Sequence, residues 1–393
     1  MIDSLYIAWR YVVFNRAKTV TLIACITLIA FLPLALELLL GESERQLMSR
    51  AASTPLVVGA KGSALDLVMN TLYFDDEVPE PITMTEADRV EASGLALPIP
   101  IYARFRARDY PIVGTTLDYF DFRGLQIADG RPLTIVGDAV LGANVAEALR
   151  LGAGDALVSS PENLFDLAGV YPLKMNVVGV LKKSHTSDDL AIFVDLKTAW
   201  IIEGLGHGHK DLVKTQDSSI ILKRTENTVT ANAKLQMYTE ISKLNLESFH
   251  FHGDRAKYRV TAVIAVPSDT KAGTILRGRY VTSGAVNQII RPSEVIDGLL
   301  QNIFRIKNMI DAVILLVGAA TVLAVVLVFA LSLRLRQHEI QTIFKLGSSR
   351  LTIARLMTAE IFIIVLFSAV LCGVMIMAVN SFSSDLVRFA FIR

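Results

Sequence analysis

Two long uncharged apolar runs, separated by a short basic connector, constrain this chain more than any other feature. Residues 312–333 carry no formal charge over 22 positions, and residues 361–379 carry none over 19. As a helix the first covers about 33 Å at ~1.5 Å per residue, the thickness of a bilayer's hydrocarbon core. Soluble domains rarely bury two such runs so close together, because each backbone must become a helix and each helix then needs an apolar solvent. The pattern predicts a membrane hairpin. The connector holds Arg334, Arg336, Lys345, Arg350 and Arg355, and short loops rich in Lys and Arg stay cytoplasmic. Within it Ile340, Ile343, Phe344 and Gly347 recur at spacings of three and four, one face of a short amphipathic helix. Such a helix either anchors in the membrane interface or docks on a cytoplasmic partner.

A further apolar run occupies residues 19–36 and continues past Glu37 to Leu40. It is longer than a signal peptide's apolar region of about 7–15 residues, and the residues after it lack a small-x-small cleavage site. It is expected to be an uncleaved anchor with its N-terminus inside, kinked at Pro33, with Glu37 reaching the outer headgroups. Before it, Leu5, Ala8, Trp9, Val12 and Val13 form the stripe of an amphipathic helix with Arg10, Arg16 and Lys18 off the stripe. Trp9 and the basic residues suit the headgroup layer.

Between the first and second spans no apolar run is long enough to cross a membrane, which leaves roughly 250 residues outside, ample for one or two globular domains. Residues 42–50 suit a helical stalk. Residues 55–74 read as strand, Gly-rich turn and helix; 139–157 as strand, helix, turn and strand; 175–200 as strand, polar loop, strand and the start of a helix. Short strands are expected in 102–117, 218–222 and 258–266, with helices in 118–131, 229–246 and 273–286. The fold class is an integral membrane α-helical protein of three spans with a large α+β extracytoplasmic domain.

Composition narrows the chemistry. A net charge of +1 and the absence of a basic face with interleaved aromatics argue against nucleic acid. Cys25 and Cys372 both fall in apolar runs, so the outer domain has no disulfide to offer. Gly59, Lys61, Gly62 and Ser63 stand in the wrong order for a phosphate-binding loop, which needs Gly-Lys-Ser/Thr after four intervening residues. No Ser-His-Asp or Cys-His setting is apparent, so the chain is not expected to be an enzyme or to bind a cofactor such as ATP itself. Glu360, the carboxylate inside the hairpin, is expected to bond to a neighbouring helix rather than to serve transport.

The residues also carry a resemblance. AWRY before the first span, PLVVGAKGSALDLVMNTLY beyond it, DGRPL followed by VLGANVAEAL, LGAGD, NVVGV, and above all RLRQHEIQTIFKLGSSRLTIARLMTAE in the hairpin together resemble the permease subunits of MacB/FtsX/LolC-like ABC transporters, the mechanotransmission class. The resemblance covers nearly the whole chain. It implies a MacB-type periplasmic core domain, a partner ABC ATPase that binds the ATP, and a second permease copy, identical or related. It also implies a coupling helix, which falls here on Arg336, Glu339, Ile340, Ile343, Phe344 and Gly347. The organisation is then an N-terminal cytoplasmic helix (1–18), first span (19–41), periplasmic domain (42–290), stalk and second span (291–334), coupling helix and loop (335–352), third span (353–380) and tail (381–393), set in a bacterial inner membrane. Permeases of this family usually add a fourth span, whereas 13 residues follow Asn380; the span is absent, supplied by another subunit, or lost by truncation. The implied function is to relay ATP hydrolysis to a periplasmic domain that handles a lipoprotein, peptide, drug or protein partner. Alternatives are an FtsX-like regulator or sensor that transports nothing, and a membrane anchor with a metal-binding outer domain.

Histidine is the least expected detail. GLGHGHKD and SFHFHGD each hold a His-x-His pair: His207 with His209, and His250 with His252. In an extended segment residues i and i+2 face the same way, so each pair can offer two imidazoles to Zn²⁺ or Cu²⁺. A closed zinc site takes four ligands, available if the pairs converge. Two solvated loops that happen to contain histidine are the plain alternative.

Overall fold

The computed structural model of the chain describes residues 2–161, 172–208, 221–225, 228–231, 239–241, 246, 249–251, 253–281, 286–335, 337, 341–342, 345 and 349–391. They form two compact units, one of residues Met1–Gln46 with Leu299–Arg393 and one of Leu47–Gly298.

The first unit is helical. Its elements are Ile2–Phe14, the start of Arg16–Ala52, most of Pro292–Leu335, and Arg350–Phe391. Three segments are long and apolar enough to cross a membrane: Arg16–Ala52, Pro292–Leu327 and Leu351–Phe382. Their outward residues are aliphatic. Leu32, Val313, Leu315, Leu316, Val322 and Leu323 are each at least 60% exposed, a surface that lipid suits and water does not. The amphipathic N-terminal helix packs on the last long helix. Ala8 and Val12 are buried with Leu22, Ile363 and Ile364, and Trp9 stacks on Phe367 with ring centroids 5.7 Å apart. Polar ties cross between helices. Lys18 Nζ lies 3.2 Å from Glu360 Oε1, and Lys307 Nζ lies 2.9 Å from Glu37 Oε2 and 3.7 Å from Asp311 Oδ2. Ser368 Oγ donates back to Ile364 O at 2.9 Å. Cys25 and Cys372 are free thiols within the apolar helices.

The second unit is α+β. An eleven-stranded mixed sheet runs, from edge to edge among the described residues, Thr239–Glu240, Leu173–Leu181, Asp138–Leu141, Ile192–Asp195, Tyr110–Thr115, Ala96–Ala107, Ala262–Pro267, Leu56–Ala60 and Asn287–Ile290; Ile127–Gly130 and Ala156–Val158 pair with Leu173–Leu181 off this path. Alternation drives its formation. In Leu173–Leu181 the odd positions Leu173, Met175, Val177 and Leu181 are buried and the even ones are not, the period-two pattern of a strand with one face on the core. The 12-residue strand Ala96–Ala107 belongs to both halves of the sheet. Its residues 96–101 pair with Ala262–Pro267, and residues 102–107 pair with Tyr110–Thr115. Thr261 marks the handover, its Oγ1 donating to Ile101 O and accepting from Ala103 N.

Two glycines of the motifs quoted above are required by close approach. Gly130, of DGRPL, has φ +82°, and a Cβ there would stand 2.2 Å from Val178 O. Gly142, of VLGAN, would place a Cβ 2.3 Å from Asp188 O. Neither position has room for a side chain.

Several expected elements differ. Residues 118–131 are not one helix: Leu117–Arg123 is helical, Gly124 at φ +65° ends it, and Ile127–Gly130 is a strand. Residues 229–246 do not read as a helix where they are described, since Thr228–Ala231 and Thr239–Glu240 are strands. The β-branched Thr228, Val229 and Thr230 favour extended backbone, and that preference prevails over the weak helical periodicity. In 273–286 the helix is Thr270–Arg279, opened by Asp269, whose side chain accepts from Ala272 N at 2.7 Å. Residues 42–50 are helical as expected, within Arg16–Ala52, and the last of them, Arg50, is buried.

Candidate functional site

The chemically densest place in the described structure lies where the helix Arg16–Ala52 ends in the α+β unit. Arg50 sits in its last turn. Its Nη1 donates to Asp188 Oδ2 at 2.7 Å and its Nη2 to Asp188 Oδ1 at 2.8 Å, the two-pronged fit of a planar guanidinium to a carboxylate. Nη2 also donates to Tyr119 Oη at 2.9 Å, Tyr119 Oη donates to Asp188 Oδ1 at 2.7 Å, and Arg50 Nε donates to Leu72 O. Thr186 Oγ1 supplies a fourth hydrogen bond to the carboxylate at 2.8 Å. Arg50, Tyr119 and Asp188 are all buried. Burying two charges is costly unless every donor and acceptor is matched, and here the carboxylate accepts from four donors.

A second arginine braces the same turn. Arg123 Nη1 donates to Ser53 Oγ at 3.1 Å and its Nη2 to Thr54 Oγ1 at 2.8 Å. Its guanidinium carbon lies 5.8 Å from the centre of the Tyr119 ring. Tyr73 Oη donates to Leu47 O at 2.5 Å. The result is a polar node that fastens residues 47–54 to the sheet through the loop that holds Asp188 and the helix that holds Tyr119.

The electrostatics follow from burial opposed by pairing. Burial pushes the Asp188 carboxyl up, but the Arg50 charge and the hydrogen bonds from Arg50 and Tyr119 outweigh it and hold the group down at about 2. Burial raises the Tyr119 phenol, and the Asp188 charge raises it further. Burial also raises Tyr73, to about 12. Arg123 is lowered by burial and by the like charge of Arg50. The node is built to stay charged and shut; its groups do not titrate near neutrality.

The loop bearing Asp188 is itself bound down. Asp189 accepts from Ser184 N at 2.8 Å, Ser184 Oγ at 2.9 Å and His185 N at 2.7 Å. Ser187, Asp188 and Asp189 are all buried. The sequence predicts a polar loop between the two strands of residues 175–200 and a helical stalk over residues 42–50, and neither expectation names Arg50 and Asp188 as partners. The signal that distinguishes them is slight: two adjacent aspartates in a Ser/Thr-rich loop, with nothing local to name their partner.

The residues singled out in the sequence are distributed as follows. Arg336, Glu339, Ile340, Ile343, Phe344 and Gly347 lie outside the described residues, as do His209 and His252; Gln337, Gln341, Thr342 and Lys345 in the same connector are α-helical. His207 and His250 are brought together, since Gly206–Gly208 pairs antiparallel with Phe249–Phe251 and places these two residues opposite each other. Among the described residues, no three His, Cys, Asp or Glu side chains group as a metal site. Glu360 meets Lys18 as an interhelical pair.

The sequence matches the MacB-like periplasmic core domain family over residues 29–238, more than half of its 393 residues. This chain belongs to the MacB-like family of ABC-transporter permeases. The match takes in Arg50, Tyr119, Gly130, Gly142, Asp188 and His207. Two solved structures are similar. The extracellular domain of the noncanonic ABC-type transporter YknZ from Gram-positive bacteria is 12% identical, with 60% of this chain and 98% of that one covered and a TM-score of 0.32. The periplasmic region of MacB from Actinobacillus actinomycetemcomitans is 11% identical, with 63% and 93% covered and a TM-score of 0.33. No curated protein matches the chain in sequence. Membership of the MacB-like family rests on the sequence match, and makes the α+β unit a periplasmic core domain carried by a membrane protein.

Proposed function

We propose that this permease is the membrane subunit of an ABC transporter complex. It relays ATP hydrolysis by a separate cytoplasmic ATPase to its periplasmic domain, which handles a lipoprotein, a peptide, a drug or a partner protein. The observation that carries the reading is the placement of a MacB-like core domain between the first and second apolar helices. A domain inserted there is tethered at both ends by helices of spanning length. The node at Arg50 supports the relay, because a helix whose last turn is pinned by a buried two-pronged ion pair transfers displacement to the loop at residues 184–190 instead of sliding past it.

In this reading the chain lies in a bacterial inner membrane with its N-terminus inside and works with a second permease copy. The connector rich in Arg and Lys faces the cytoplasm, and the face made by Ile340, Ile343, Phe344 and Gly347 docks on the ATPase, with Arg336 and Glu339 flanking it. The test is co-purification from detergent-solubilised native membranes, comparing the intact chain with Phe344→Asp and Gly347→Pro. Recovery of an ABC ATPase with the intact chain and its loss from both variants is the expected result. Absence of an ATPase from every preparation, or equal recovery in all three, overturns the docking role. With the complex in hand, stimulation of ATP turnover by a transported compound supports transport, and stimulation only by a folded periplasmic protein makes the chain an FtsX-like regulator instead.

A further inference from the structure

Strand Asn287–Ile290 closes the main sheet on one side, where among the described residues it pairs with Leu56–Ala60 alone. Its register fixes which backbone groups face outward. Lys61 N donates to Val286 O at 3.2 Å, so these two residues form a hydrogen-bonded pair. By alternation Gln288 and Ile290 bond inward, to Gly59 and Val57. The N–H and C=O groups of Asn287 and Ile289 then point away from the sheet, and no strand among the described residues takes them up. Exposed edges are normally guarded by lysine, proline or a bulge. This strand reads Asn-Gln-Ile-Ile and pairs without a register shift, so it holds none of these guards. A cavity of about 380 Å³ opens at its start, lined by Asn287, Glu86, Arg89, Arg279 and Tyr280 among others. Helices Thr85–Ala92 and Thr270–Arg279 each bring an arginine there from their last turn. Glu86 is buried and already engaged: it accepts from Tyr280 Oη at 3.0 Å and pairs with Arg89 Nη1 at 2.9 Å. Arg279 is exposed and makes no ion pair among the described residues. Two guanidiniums against one carboxylate leave the cavity positive.

We propose that this edge and cavity together dock the C-terminal end of an extended polypeptide. The peptide adds to Asn287–Ile290 as an antiparallel strand, its main chain answering the outward groups of Asn287 and Ile289. Antiparallel pairing brings its last residue to the start of the strand, where the cavity lies. Arg279 receives the terminal carboxylate there with Arg89 beside it, since a guanidinium offers a carboxylate two parallel donors. Main-chain bonds supply affinity with little regard to sequence, and the carboxylate fixes the register. An amidated end meets the same edge but leaves Arg279 without its anion. The proposal deepens the reading in which this domain handles a peptide or a partner protein, and rests on that part of it alone. Neither the node at Arg50 nor the cytoplasmic connector takes part.

The experiment presents the full-length chain in detergent to an array of short random-sequence peptides held by their N-termini, each made with a free C-terminal carboxylate and again as the amide. A subset of the carboxylates is expected to bind, and their amides to bind roughly tenfold more weakly or not at all. The tightest peptide, labelled with fluorescein and followed by anisotropy, then tests the residues. Arg279→Gln is expected to lower affinity roughly tenfold and to abolish the preference for carboxylate over amide. Asn287→Pro removes an outward N–H and leaves the inward bonds of the strand in place; it is expected to weaken both forms while the preference remains. Lys182→Gln, at an exposed lysine following strand Leu173–Leu181, is expected to bind as the unaltered chain does. The unfolding temperature of each variant without peptide checks that it folds. No binding anywhere on the array, amides bound as well as carboxylates, or a carboxylate preference that survives Arg279→Gln overturns the proposal. No ATPase is present in the assay, so an ATPase recovered with a chain that binds no peptide end defeats this proposal and leaves the docking role of the connector intact.

Discussion

Arg50 and Asp188 stand 138 positions apart in sequence and meet, buried, as a two-pronged ion pair with both N···O distances under 3 Å. One belongs to the last turn of a helix of 37 residues, the other to a short 3₁₀ turn, Ser187–Leu190, between two strands. The pair joins the longest-range partners in the node, and the geometry leaves neither charge short of hydrogen bonds. That is the condition under which a buried pair holds two elements in a single arrangement.

Breaking one side of the pair is therefore expected to cost much more than replacing both. Arg50→Met leaves a buried carboxylate without its cation, and Asp188→Leu leaves a buried guanidinium without its anion. Each is expected to lower the stability of the domain by about 3–5 kcal/mol. The double variant Arg50→Met/Asp188→Leu is expected to recover most of that loss, since an apolar pair of similar volume satisfies the same space. Chemical unfolding of the full chain in detergent, followed by near-ultraviolet circular dichroism, measures all three. A double variant as unstable as the sum of the singles refutes the pairing energy.

The same node sets an acid limit. Asp188 is held at about 2 in the folded domain, below the value of about 3.9 that an aspartate has in an unfolded chain. Where the folded value is the lower, the unfolded state takes up the proton first as pH falls. The contribution of Asp188 is thus fully present above about pH 4–5 and lost as pH drops from there towards 2. Unfolding free energy measured between pH 6 and pH 2.5 is expected to fall in the unaltered chain and to fall less steeply in Arg50→Met/Asp188→Leu. Equal slopes in the two proteins exclude Asp188 as a source of the acid sensitivity.

How much of this was readable beforehand depends on the range of the interaction concerned. The apolar helices were legible because lipid demands about twenty consecutive uncharged residues, a local property of residues 312–333 and 361–379. So were the strand, helix and strand around Asp138–Leu141, Ala143–Leu149 and Ala156–Val158, where alternation, a Gly start and a Gly-Ala-Gly-Asp turn agree. In the stretch expected to be helical over 229–246, the described ends Thr228–Ala231 and Thr239–Glu240 are strands, because β-branched Thr228, Val229, Thr230 and Thr239 favour extended backbone once a neighbouring strand is there to pair with. The Arg50 node and the facing of His207 and His250 were not legible at all. Both depend on register and topology across more than 40 residues, and a single sequence carries no local mark of a distant partner. The notable exception is Glu360: a lone carboxylate in an apolar run announces that it needs a partner, even though nothing announces that the partner is Lys18.

That partnership supports a last prediction, within the helical unit. Lys18 and Glu360 lie 3.2 Å apart, with the glutamate side chain only 4% exposed, on helices that also share the apolar contacts of Leu22, Ile363 and Ile364. A carboxylate or ammonium in an apolar phase costs about 2.5–3.5 kcal/mol on insertion scales, and opposite charges on neighbouring helices relieve each other. Lys18→Met removes the cation and keeps the carboxylate, so hydrogen exchange in peptides covering residues 19–27 and 360–368 is expected to quicken by one to two orders of magnitude. Glu360→Gln keeps an acceptor for the lysine and is expected to quicken exchange by less. Lys18→Met/Glu360→Leu removes both charges and is expected to return protection close to that of the unaltered chain, because the surrounding positions are already aliphatic. Protection unchanged in Lys18→Met would show that the pair does not hold these helices together.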